Sequence, residues 1–212
     1  MLWLILSLLT ALAVASQDAW VKKHFSHLSA YDMLAFPFFF SLPLFAAAVP
    51  FVPVPPLDQT FYWSFAVSLP LNFIPFFLYM KAIRISALSL TLPYLSLTPA
   101  FMIFTGYVFL DEIPNLYGII GILVTCIGGY VLNLERGKHS VLAPFKAIFK
   151  ETGSWLMIVV AFLFSISAVI GKKAILHSSP LFFTMTFFAV LALVSLVVLF
   201  IMGKIQLKTF TT

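Results

Sequence analysis

Asp18 stands inside a long apolar run, LWLILSLLTALAVASQDAWVKK, and Lys22 follows it four residues later. A charged side chain at the centre of a bilayer costs roughly 2.5–3.5 kcal/mol on insertion scales, so each one needs a reason. Two reasons fit this residue type and spacing. The i,i+4 spacing puts Asp18 and Lys22 on one helix face, where they form a local ion pair near the interface. The other is that Asp18 faces a central path, where a carboxylate binds a proton or a substrate group. Gln17, Asn72, Tyr79, Tyr94 and Thr98 also lie in apolar runs. They would either line such a path with hydrogen-bonding groups or bond one helix to another.

Other chemistries find no support. All four histidines fall in loops or at segment ends, away from any nucleophile within the apolar runs. No lysine lies in the middle of the last apolar run, where a retinal Schiff base would need one. No His, Asp or Glu cluster has metal-ligand spacing. The single cysteine, Cys126, excludes an internal disulfide and a cysteine-cluster metal site. The expectation is a protein that is not an enzyme and uses no cofactor and no metal.

The elements that must position these groups follow from composition. Of 212 residues, 62% are apolar and only 9% charged. A soluble domain is usually about 45–50% apolar and about 25% charged. The apolar runs are long and do not alternate, so the fold class is all-α: a polytopic membrane bundle whose partner is the lipid bilayer. Seven segments are close to membrane-spanning length, at 2–21, 31–52, 60–80, 86–110, 116–134, 154–174 and 181–203. The short basic stretch KAIRIS is expected to be the turn between the third and fourth. The net charge of +5 does not mark a nucleic-acid binder, because the basic residues are scattered at segment ends. Residues 135–153 form the one long connection, and PFKAIFKE within it could lie as a short interfacial helix.

The chain echoes itself. KKHFSHLS at 22–29 and KKAILHSS at 172–179 share Lys-Lys, His and Ser at identical spacing. Trp3-Leu4 and Trp155-Leu156 open the corresponding segments. Ala13-Val14-Ala15 has the small-x-small pattern of a signal cleavage site, but no basic region precedes it, and the echo makes this segment a helix. Five segments separate the two copies, an odd number, so the second copy enters from the opposite side. That is an inverted repeat of the kind found in secondary transporters. Pro37, Pro43, Pro70, Pro75, Pro93 and Pro99 lie within segments two to four and are expected to kink them around a cavity.

The stretch from Tyr79 to Leu134 resembles the EamA family of the drug/metabolite transporter superfamily. Tyr79, Ala82, Ser86 and Ala87 match its passage from third to fourth helix. Pro99 matches its mid-helix proline and Glu112 the glutamate closing the fourth helix. Gly118, Gly121, Gly128 and Gly129 match its glycine-rich fifth helix. The resemblance implies ten helices in two inverted five-helix repeats around a path for small metabolites or drugs, moved across the cytoplasmic membrane without ATP hydrolysis. On that pattern residues 1–134 are the first repeat, 135–153 a basic linker, and 154–212 two helices of the second. The substrate is a small molecule that these residues do not identify. A homodimer or a missing C-terminal half is the expected source of the remaining helices. The alternative is a truncated remnant or accessory protein, and the chain alone is expected not to transport.

Read from the residues, Asp111 and Glu112 would cap the fifth helix, and Gly121, Gly128 and Gly129 would allow close helix packing. Ten of the twelve Lys and Arg fall on the side of the connection near Lys22, and only Lys172 and Lys173 on the other. The positive-inside rule then predicts an outside N-terminus and a cytoplasmic tail.

Overall fold

The computed structural model describes residues 2–134 and 151–204, and all regular structure in them is helical. In chain order the elements are α1 (Leu2–Phe25), α2 (Ala30–Ala48), a 3-10 turn (Val49–Phe51), α3 (Gln59–Ile85) and α4 (Leu88–Thr91). A 3-10 stretch (Leu92–Leu97), α5 (Thr98–Leu110), α6 (Leu116–Leu134), α7 (Thr152–Leu176) and α8 (Pro180–Ile201) follow. Six stretches are long and apolar enough to cross a membrane, and Leu116–Leu132 is a shorter apolar helix. The expected helical membrane bundle is what the chain forms. The expected interfacial helix in PFKAIFKE lies outside the described residues.

Short polar side chains start the helices. Ser29 Oγ accepts the Asp32 N–H at 3.2 Å, Asp58 Oδ1 the Phe61 N–H at 2.8 Å, and Ser179 Oγ the Phe182 N–H at 3.2 Å. Each satisfies a first-turn donor that has no partner within its helix. Asp111 and Glu112 do not cap α6, contrary to expectation. Asp111 adopts a left-handed conformation (φ 58°) and closes α5, its N–H donating to Tyr107 O at 3.1 Å. Asn115 Oδ1 instead accepts from the Gly118 N–H at 2.8 Å, at the head of α6.

The prolines act unequally. Helices α2 and α3 run on through Pro37, Pro43, Pro70 and Pro75. Segment 86–110 instead breaks into α4, the 3-10 stretch and α5, with Pro93 at the start of the 3-10 stretch and Pro99 at the start of α5. Two missing N–H donors six residues apart remove successive α-helical bonds, and the tighter 3-10 pattern fills the gap. KAIRIS is not a turn either: KAIRI completes α3.

Helices α3 and α7 form the centre. Asp58 meets His177, and Asn72 meets Ser167, so α3 and α7 run antiparallel. Thr105 meets Ser165, and Glu112 meets Lys172, so α5 and α7 run parallel. Met33, Leu34, Ile83, Met157, Val160 and Leu191 are fully buried between α2, α3, α7 and α8. Phenylalanines knit α3 to α8, with Phe65 and Phe187 ring centres 5.5 Å apart and edge-on. Without a hydrophobic drive inside lipid, such close packing and interhelical bonds hold the helices together. Helix α1 stands apart: apart from Asp18 and Val21 it is largely exposed and apolar.

Candidate functional site

The polar groups gather on two seams. On the first, Tyr79 donates to Asp18 Oδ2 at 2.6 Å, joining α3 to α1. One turn further along, Lys22 Nζ donates to the carbonyls of Ile83 (2.6 Å), Arg84 (3.1 Å) and Ser86 (3.0 Å). Asp18 to Tyr79 and Lys22 to Ile83 span the same 61 residues, so both helices advance together and run parallel. The lysine spends its three donors on carbonyls that the end of α3 leaves without helical partners. A cation is also favoured at that negative helix terminus. The cap sits at the last turn of α3, which ends at Ile85.

The i,i+4 spacing therefore places Asp18 and Lys22 on one face, but they do not pair with each other. The expected local ion pair is replaced by two separate bonds to α3. Asp18 is the only charged residue among the buried described ones. Its remaining carboxylate oxygen is an acceptor for a proton or a donor group.

On the second seam Asn72 Nδ2 donates to Ser167 Oγ at 2.5 Å and to Ser68 O at 2.8 Å, bridging α3 and α7. Ser68 Oγ, one turn away and fully buried, makes no hydrogen bond. Thr105 Oγ1 reaches Ser165 O at 3.4 Å from α5. Tyr94 is buried in the 3-10 stretch and hydrogen-bonds Ser154 at the head of α7.

Of the residues singled out from sequence, Asp18 and Tyr79 come together. Asn72 and Tyr94 instead bond to α7, at Ser167 and Ser154. Gln17 is exposed on α1 and Thr98 half-buried at the start of α5, both apart from the Asp18–Tyr79 pair. Pro99 begins α5 and Glu112 pairs with Lys172 across the two parallel helices. A side chain at Gly129 would collide with Ser96 and come within 2.8 Å of Pro93 O, so this glycine does permit close approach. Gly118 would meet Pro114 at 3.1 Å. Gly121 and Gly128 face open space, so close packing is not what they provide. Sequence reasoning missed Lys22 as a helix cap and Ser167 as the partner of Asn72. The Ser167 position, one residue before the Ala168 that corresponds to Asp18, carried no pattern that would have marked it.

At the other end of the bundle, His177 Nδ1 lies 2.6 Å from Asp58 Oδ2, at the same end of α7 as the Lys172–Glu112 pair. The Phe61 N–H, then the His177 contact, holds the Asp58 carboxyl below the usual carboxylate range. Among the described residues no group of His, Cys, Asp and Glu could hold a metal ion.

A family model described as the EamA-like transporter family matches residues 1–134. The chain belongs to that family. The EamA-like match ends at the C-terminus of α6 and contains Asp18, Lys22, Tyr79, Asn72 and the broken segment 88–110. No curated protein and no solved structure matches the chain. Family and helices together make this a multi-pass membrane protein of transporter type.

Proposed function

We propose that this EamA-like protein is a secondary transporter of small metabolites or drug-like solutes in the cytoplasmic membrane, with the Asp18–Tyr79 bond on its path. The observation that carries the proposal is a lone buried carboxylate bonded across two parallel helices. Intramembrane carboxylates mark proton and substrate pathways. A proton taken up on Asp18 removes the charge and weakens the bond that holds α1 to α3. Lys22 keeps the end of α1 fixed on the α3 carbonyls, so the exposed remainder of α1 is the part that can tilt. The residues from 154 onward supply the start of an inverted second repeat. Its support is that α7 runs antiparallel to α3, hence to α1, the helix it echoes. The end of the bundle carrying Lys22 and Ser86 is the cytoplasmic one on the count of basic residues.

The test is proton movement in proteoliposomes holding the protein and an internal pH dye, challenged with amino acids, nucleosides, sugars and organic cations in turn. The expected result is that one class dissipates an imposed pH gradient in wild type and fails to do so in Asp18→Asn. Equal dissipation in the two proteins overturns the role of Asp18. No response to any class in wild type overturns transport by this chain alone, the outcome expected from the count of seven apolar segments, and leaves the accessory reading.

A further inference from the structure

A second site lies where segment 88–110 breaks. A cavity of about 670 Å³ opens between the 3-10 stretch and α6, with Ser89, Pro93, Ser96, Thr125, Gly128 and Leu132 on its walls. It shares no residue with the Asp18 cluster. Its size falls in the range of small-molecule pockets, about 300–1,000 Å³. Three features of the walls define what it could take.

None of the residues lining it is charged, so nothing there would compensate the desolvation of an ionic headgroup. Two of its hydroxyls turn their hydrogens to the backbone: Ser96 Oγ donates to Pro93 O at 2.7 Å and Thr125 Oγ1 to Gly121 O at 2.9 Å. Their oxygens remain as acceptors. Pro93 has no N–H, so it adds no donor to the wall. At Ser96 and Thr125 the wall therefore offers acceptors, and a ligand that uses them must bring its own O–H or N–H. Finally, the cavity is open at its α6 wall, where Thr125, Gly128 and Leu132 are exposed within an apolar helix. A ligand arrives from the bilayer with an apolar body.

We infer that this cavity is a membrane-facing binding site for an uncharged amphiphile whose hydroxyl headgroup donates its hydrogen to the Thr125 or Ser96 oxygen. Gly128 keeps the site open, since a Cβ there would meet nothing within 4 Å. A larger side chain at 128 therefore fills the cavity without displacing backbone. At the neighbouring Gly129 the same change would strike Ser96, and that variant is unsuitable as a probe.

The experiment uses a photoreactive decanol carrying a diazirine in its tail, with the purified protein in detergent and adducts mapped by mass spectrometry. Unlabelled decanol, decyl methyl ether, decanoate and decyltrimethylammonium compete. These share one tail and differ only in the head. Adducts are expected on segments 88–97 and 121–132, with decanol competing about tenfold better than the ether, which keeps an acceptor but has no donor. The two ions should compete no better than the ether. Gly128→Leu should abolish these adducts while its thermal unfolding midpoint stays near wild type. Thr125→Val, which keeps the shape and loses the acceptor, should weaken decanol several-fold. Equal competition by ether and alcohol overturns the inference. So do adducts spread along the exposed faces of α1 and α8 and unchanged in Gly128→Leu.

Discussion

The corner between α1 and α2 and the corner between α7 and α8 are built from the same short text and serve different neighbours. In both, a helix ends in Lys-Lys, a histidine follows, and a serine caps the next helix: Ser29 for α2 and Ser179 for α8. In both, the first lysine reaches the C-terminal end of a parallel helix, Lys22 that of α3 and Lys172, through Glu112, that of α5. The difference is what waits there. Lys22 finds bare carbonyls in a part-buried niche, and Lys172 finds a carboxylate in the open. Asp18 has Ala168 as its counterpart, and α1 is exposed where α7 is central. Local sequence fixes where helices start and stop. The tertiary neighbour decides whether the same lysine is a cap or an ion pair.

The sharpest way to break the comparison is at the head of α7, which has no analogue of its tight fit at α1. A Cβ on Gly153 would collide with the Ser86 side chain and lie 3.1 Å from Thr91 Cγ2. Gly153→Val should cost about 3 kcal/mol by forcing α7 off the α3–α4 corner, read as a drop in unfolding midpoint in detergent. A midpoint near wild type would show that α7 does not need that close approach.

The two lysines come next. Lys22→Met strips three carbonyls of their donor and should destabilise by about 1–3 kcal/mol. Lys172→Met breaks only an exposed pair, worth less than about 1 kcal/mol. Salt should weaken the second contact and leave the first nearly unchanged. Equal losses at the two positions would mean that burial does not distinguish them. The caps should behave alike instead: Ser29→Ala and Ser179→Ala are each expected to cost about 1 kcal/mol in urea unfolding. A large inequality there would undo the idea that the corners share one local design.

This contrast also marks what was legible in the sequence. Membrane spans were, because no soluble fold absorbs so much apolar surface; the echo holding Ser29 and Ser179 was visible too, but not that both serines cap helices. The break of segment 86–110 was half legible: Pro93 and Pro99 announced a disturbance, but a 3-10 stretch depends on both acting together. KAIRIS looked like a turn because it is basic and short, yet KAIRI is the last stretch of α3, and a lysine 61 residues from Ile83 in sequence caps it. Asp18 and Lys22 looked like partners because i,i+4 spacing is a local rule. Whether two same-face residues bond each other or a neighbouring helix depends on the register of that neighbour, which no local spacing encodes. Tyr79 was visible as a polar group in an apolar run, but its pairing with Asp18 needed α1 and α3 side by side.

The smallest expected effect concerns the histidines of the two corners. His177 pairs with Asp58, whereas His27 has no ion-pair partner among the described residues. Asp58 has its carboxyl held below the ordinary range chiefly by the Phe61 N–H, with His177 contributing second. A depressed carboxyl stabilises the fold fully above the ordinary carboxylate value, about 3.9. That contribution fades as pH falls through the lower folded value, when Asp58 takes up its proton. The unfolding midpoints of wild type and Asp58→Asn should therefore differ slightly at pH 7, begin to converge below about pH 4, and meet only below the lowered folded value. Because the backbone donor is the larger cause, His177→Gln should leave most of that difference in place, and His27→Gln should leave all of it. If His177→Gln abolishes the difference, the ion pair rather than the helix cap sets the Asp58 charge. The two corners would then differ in their electrostatics as much as in their burial.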